Sequence, residues 1–74
     1  NPVTTISYSI PMDGFVNLAV YNLIGEKVEE LVNSNVRAGS YQLNFDASKL
    51  SSGVYFYKLQ TGSYTDTKKM ILMK

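Results

Sequence analysis

Over most of the chain, apolar and polar residues alternate at period two, and short clusters of Gly, Ser, Asn, Asp and Pro interrupt the alternation. Side chains separated by two positions share a face of a β-strand, so each alternating run predicts a strand with one buried face. Residues 4–10 place Ile6, Tyr8 and Ile10 inward and Thr5, Ser7 and Ser9 outward. Pro11 ends that ladder, and Met12-Asp13-Gly14 predicts a turn in which Gly14 takes positive φ. Residues 15–22 form a second strand, with Val16, Leu18 and Val20 on one face and Phe15, Ala19 and Tyr21 on the other. The turn Asn22-Leu23-Ile24-Gly25 follows, with Gly25 as the positive-φ residue and Leu23 expected to plug the end of the core.

The run at 51–60 is the most strand-like, because Val54, Tyr55, Phe56 and Tyr57 suit a pleated, half-buried surface. Tyr55, Tyr57 and Leu59 share one face, and Val54, Phe56, Lys58 and Gln60 the other. Both faces begin apolar, which predicts a central strand covered on both sides at its start. Residues 40–45 alternate with Tyr41, Leu43 and Phe45 inward.

Segment 27–32 departs from the rule, since Val28, Leu31 and Val32 fit helical spacing around Glu29-Glu30. A six-residue uncapped helix is marginal, so a strand with a bulge near Glu29-Glu30 is expected. Residues 33–39 are expected to be a loop, and 46–50 a single helical turn capped by Asp46. Beyond a tight hairpin at Thr61-Gly62-Ser63, residues 64–69 are polar and Met70-Ile71-Leu72-Met73 are continuously apolar. This predicts a strand wet at one end and buried on both faces at the other. Lys68, Lys69 and Lys74 bracket the apolar run as charges that oppose edge-to-edge pairing.

About six or seven short strands, with no helix among them, predict an all-β fold. The specific expectation is a small antiparallel immunoglobulin-like or fibronectin-like β-sandwich of about seven strands. With 74 residues there is room for one domain, and with no cysteine there is no disulfide, so packing and strand pairing must supply the stability. A net charge of +1 argues against nucleic acid as a partner. No run approaches the roughly 18 apolar residues of a membrane span. The chain opens at Asn1 without a methionine, as expected of a module excised from a longer protein.

Chemistry is sparse. With neither histidine nor cysteine, only carboxylates, lysines and hydroxyls remain for acid–base or nucleophilic work. Asp13, Asp46 and Asp66 fall in or beside predicted turns, where aspartate caps its own backbone. Glu29 and Glu30 are adjacent, so on a strand they diverge. No calcium-loop spacing or glycine-rich phosphate loop occurs. No enzyme and no cofactor is expected. The six tyrosines could stack on sugars, but Tyr8, Tyr41, Tyr55 and Tyr57 sit on inferred core faces, which favours packing.

The order of motifs carries more than any one of them. Asn1-Pro2, Thr5-Ile6-Ser7-Tyr8-Ser9-Ile10-Pro11 and Gly14 are followed by Val20-Tyr21-Asn22-Leu23-Ile24-Gly25-Glu26-Lys27-Val28 and Ala38-Gly39-Ser40-Tyr41. Then come residues 50–59 and Lys68-Lys69-Met70-Ile71-Leu72-Met73-Lys74. In this order and spacing the chain resembles the type A C-terminal sorting domain of the type IX (Por) secretion system. The resemblance implies a non-catalytic signal that ends a larger secreted protein. It would direct an N-terminal cargo across the periplasm of a Gram-negative bacterium and through the outer-membrane translocon to the cell surface or medium, with removal by a sortase-like peptidase. It also implies that the last strands are read, with Gly53, Tyr55, Lys58, Lys68, Lys69, Met70, Ile71, Leu72, Met73 and Lys74 as the recognition residues. The same grammar is similar to the immunoglobulin-like domain of the flagellar hook-capping protein, so a structural assembly module is one alternative. A spacer or accessory domain of a secreted hydrolase is another.

Overall fold

A computed structural model describes residues 3–62 and 64–73. It contains six strands: β1 (Val3–Ile10), β2 (Gly14–Tyr21), β3 (Lys27–Val36), β4 (Gly39–Asp46), β5 (Gly53–Thr61) and β6 (Thr65–Leu72). They form two antiparallel sheets, a four-stranded one in the order β3-β2-β5-β6 and a two-stranded one pairing β1 with β4. The all-β sandwich agrees with the sequence reading, and its strand count is six, at the lower end. Residues 47–50 form a hydrogen-bonded turn and not a helix: the Leu50 amide donates to the Ala47 carbonyl at 3.0 Å and Ser48 to Asp46 Oδ1 at 3.0 Å.

The core lies between the sheets. Ile6, Ile10 and Phe45 come down from the small sheet onto Val16, Leu18, Val20, Tyr55, Leu59 and Leu72 of the large one. These are the inward sets that alternation predicts. Val16, Leu18 and Val20 are fully buried, which makes β2 the centre of the packing. Each such side chain contributes about 1.5–3 kcal/mol on removal from water.

Segment 27–32 is strand. The pairing of β2 with β3 slips twice, between Leu18 and Ala19 and between Val20 and Tyr21, so Leu31 and Val28 are the extra residues of two bulges. The bulges break the alternation and produce the helix-like spacing seen in the sequence. The strand continues through the expected loop to Val36, because Asn33, Ser34 and Asn35 pair with Asn17, Val16 and Phe15.

The turns correct two further expectations. Gly25 has φ of 88°, as predicted, whereas the remaining positive-φ glycines are Gly39 and Gly53, and Gly14 is not among them. The turn before Gly14 is fixed by Asp13, whose Oδ1 accepts the Ala38 amide at 2.7 Å and ties the β1–β2 turn to the β3–β4 turn. Asp13→Ala should lower stability by about 1 kcal/mol. In a domain of this size that is a melting temperature lower by roughly 4–8 °C, readable by circular dichroism. Leu23 does not plug the core. Asn22 Oδ1 accepts the amides of Ile24 and Glu26 at 3.1 and 2.9 Å, and this tight turn leaves Leu23 and Ile24 69% and 79% exposed.

With two strands in the upper sheet, no second layer covers the outer face of the lower one. β5 is therefore central but buried on one face: Tyr55 and Leu59 are buried, and Val54, Phe56 and Lys58 are half-buried by neighbours in their own sheet. The same limit applies to β6, where Leu72 is buried and Ile71 is 61% exposed.

Candidate functional site

β6 pairs with β5 over eight consecutive positions, from Gly53 opposite Leu72 to Gln60 opposite Thr65, with no bulge. It lies at the edge of the large sheet, so one side of its backbone carries no strand. The opposite edge, β3, is broken by its two bulges. Bulges disfavour the addition of a further strand, whereas a regular edge presents its N–H and C=O groups in ladder spacing. β6 is thus the open end of this sheet, and the hairpin before it is closed by the Thr61 amide donating to the Tyr64 carbonyl at 2.9 Å.

The ten residues singled out in the sequence separate onto two faces. The inner face carries Tyr55, Lys68, Met70 and Leu72, since Tyr55 pairs with Met70 and Tyr57 with Lys68. Tyr55 is buried and its hydroxyl donates to the Ser51 carbonyl at 2.9 Å, and Leu72 belongs to the core. The outer face carries Lys58, Lys69 and Ile71, because Phe56 pairs with Lys69 and Val54 with Ile71. Gly53, at φ of 151°, opens β5 in a conformation that side-chain-bearing residues rarely adopt, with nothing within 4 Å of an added Cβ. Met73 follows β6 and is 75% exposed, while Lys74 lies outside the described residues. Lys68 and Lys69, adjacent in sequence, therefore face opposite ways.

Lys68 and Asp66 point into a cleft of about 710 Å³ between the sheets, roofed by Tyr8 and Tyr41 and lined below by Tyr57 and Tyr64. Asp66 caps no turn, because it lies on β6 opposite Leu59. The rings pack on each other and on the core: Tyr8 and Tyr41 are directly opposed across β1 and β4 and stack at 5.4 Å. The Tyr64 hydroxyl donates to the Ser9 carbonyl at 2.8 Å, joining the β5–β6 hairpin to the small sheet. Partial burial, followed by the neighbouring Tyr41, raises the Tyr8 phenol above its ordinary 10.0. The fold thus favours the neutral phenol, and its contribution to stability is complete below about pH 10 and is lost as pH rises through the folded-state value. Melting temperatures taken between about pH 8 and 11 should fall at the alkaline end, and Tyr8→Phe should flatten that fall.

The outer face forms the rows Ala19–Lys58–Thr67 and Tyr21–Phe56–Lys69 across β2, β5 and β6, then Val54–Ile71 across β5 and β6. Val54 and Phe56, absent from the ten residues, share this face with Lys58 as the alternation of β5 requires. The Lys58 ammonium lies 5.1 Å from the centroid of the Tyr21 ring, over its π face. On β3, Glu30 Oε2 accepts from Asn17 at 2.9 Å and from Lys27 at 3.0 Å. Those two donors, Asn17 first, hold the Glu30 carboxyl below its ordinary value and occupy it. Among the described residues no group of three His, Cys, Asp or Glu could hold a metal ion, and no helix is long and apolar enough to cross a membrane.

The family model described as the secretion system C-terminal sorting domain matches residues 1–73. The chain belongs to that family, the C-terminal sorting domains of type IX secretion. No curated protein and no solved structure matches it. A sorting domain of this family is non-catalytic, is fused to a cargo, and marks it for export to the cell surface or medium by the type IX machinery.

Proposed function

We propose that this sorting domain closes the C-terminus of a secreted cargo and is read at the outer-membrane translocon through β5 and β6, the last two strands. The cargo reaches the periplasm of a Gram-negative host first, crosses the outer membrane by virtue of this domain, and is released from it by a sortase-like peptidase. The reading rests on one observation beyond the family: β6 is a regular, bulge-free strand at the open edge of the large sheet. Such an edge can accept a strand of a partner by main-chain pairing without any rearrangement of the domain.

Truncating β6 is a poor test, because it removes Leu72 and Met70 from the packing and unfolds what it is meant to probe. The better experiment fuses the domain behind a reporter with an export leader and compares a type IX-competent strain with one lacking the translocon. The expected result is reporter at the surface or in the medium of the first strain and trapped in the periplasm of the second. A reporter that distributes identically with and without the domain would overturn the assignment.

A further inference from the structure

The outer face of the large sheet is unusual in what it exposes together. Scattered apolar residues on a surface need no explanation, but here they adjoin. Tyr21 and Phe56 are cross-strand partners, as are Val54 and Ile71, and Leu23 and Ile24 extend the patch around a shallow hollow of about 290 Å³ that Val54 also lines. Within this apolar ground stand two cations, Lys58 and Lys69. Lys58 pairs with Thr67 and Phe56 with Lys69, so the two lysines are diagonal neighbours across β5 and β6, a relation that places their Cα atoms about 7–8 Å apart. The anion on this face, Glu30, is already held by Asn17 and Lys27. No carboxylate among the described residues pairs with Lys58 or Lys69.

We infer that, beside the β6 edge, the export machinery reads this outer face, and that its occupant is a protein surface carrying carboxylates beside apolar side chains. The inference rests on the sorting assignment and adds to it the face and the chemistry of the partner. An ammonium pair without a counter-charge among the described residues, set among half-buried rings, is complementary to an acidic and apolar patch, and such complementarity governs both encounter rate and choice of partner. A membrane surface fits less well. Attraction to anionic lipid calls for clusters of about four to eight basic residues, whereas this face offers two lysines without a carboxylate partner among the described residues, in a chain of net charge +1.

The adjacency of Lys68 and Lys69 supplies a sharp test. In the reporter fusion, Lys58→Glu with Lys69→Glu should reduce exported reporter about tenfold or more, and Ile71→Asp should do the same. Met12→Asp, exposed in the β1–β2 turn, should leave export intact, and Lys68→Glu, on the inner face, should cost clearly less export than Lys69→Glu. Thermal melts of each fusion identify any variant that misfolds, and Lys69→Glu alone is then the variant that decides. Lys58→Arg with Lys69→Arg should retain export. If Lys69→Glu exports like the unaltered fusion, or if Lys68→Glu is as damaging, the face is wrong while the sorting assignment stands. If the unaltered fusion is not exported, the sorting assignment itself fails. Vesicles of phosphatidylglycerol and of phosphatidylcholine are the remaining probes. Binding to the anionic vesicles that the double charge reversal abolishes would make lipid the occupant and overturn the protein partner, and no binding supports it.

Discussion

Leu18→Ala should leave this domain largely unfolded near its working temperature. Leu18 is fully buried and sits at the middle of β2, between β3 and β5, with the small sheet packed above it. Removing a buried leucine to alanine costs about 2–5 kcal/mol, the upper end applying where the surroundings cannot collapse into the cavity. Collapse is restricted here because Leu18 is held by two ladders at once, opposite Val32 on one side and Leu59 on the other. A chain of this length has roughly 4–11 kcal/mol of stability in all, and with no cysteine it has no disulfide to supplement it. The expected outcome is a melting temperature lower by roughly 10–30 °C. Scanning calorimetry or circular dichroism reads it directly, and a shift of a few degrees would mean that β2 is not the centre of the packing. Export of a Leu18→Ala fusion should fall for the same reason, with no contact to the machinery altered.

The strands were legible because each buries one face, and a single buried face writes period two into the sequence. Tyr8, Tyr41, Tyr55, Leu59 and the Val16-Leu18-Val20 set all lie on the face that alternation assigns to them. Departures occur where another force governs. At 27–32 two bulges insert Val28 and Leu31, so the local spacing mimics a helix. At 33–36 the polar run Asn-Ser-Asn looks like loop, yet it pairs as strand because its partners on β2 leave that edge open to solvent, where polar side chains carry no penalty. At Leu23 hydrophobicity predicts burial, and the hydrogen bonds of Asn22 override it.

The candidate site was legible in a different way. The order of the motifs identified the family, and the apolar run beside lysines drew attention to the last strand. What the linear run of Met70-Ile71-Leu72-Met73 conceals is that a strand divides its residues between two environments. The expectation of burial on both faces failed because six strands cannot build a third layer. Half of the residues that a motif gathers together are therefore core, and half are surface. Lys68 and Lys69 show the same division within one dipeptide, since one enters the inter-sheet cleft and the other stands beside Phe56 on the outer face.

That division makes Tyr55 and Leu72 a control for every claim about recognition. Tyr55 is 8% exposed and Leu72 is 5% exposed, and both belong to the same core cluster. Tyr55→Ala should cost about 3–5 kcal/mol and Leu72→Ala about 2–5 kcal/mol. Tyr55→Phe keeps the ring and loses only the hydrogen bond to the Ser51 carbonyl, an expected cost of about 1 kcal/mol. If these residues serve the fold alone, export of the reporter fusion should follow melting temperature across the three variants, with Tyr55→Phe close to the unaltered domain. Lys69→Glu should leave that line, losing export while melting almost as the parent does. A Tyr55→Phe fusion that melts normally but is not exported would give the Tyr55 hydroxyl a role in recognition, which its donation to Ser51 inside the domain argues against.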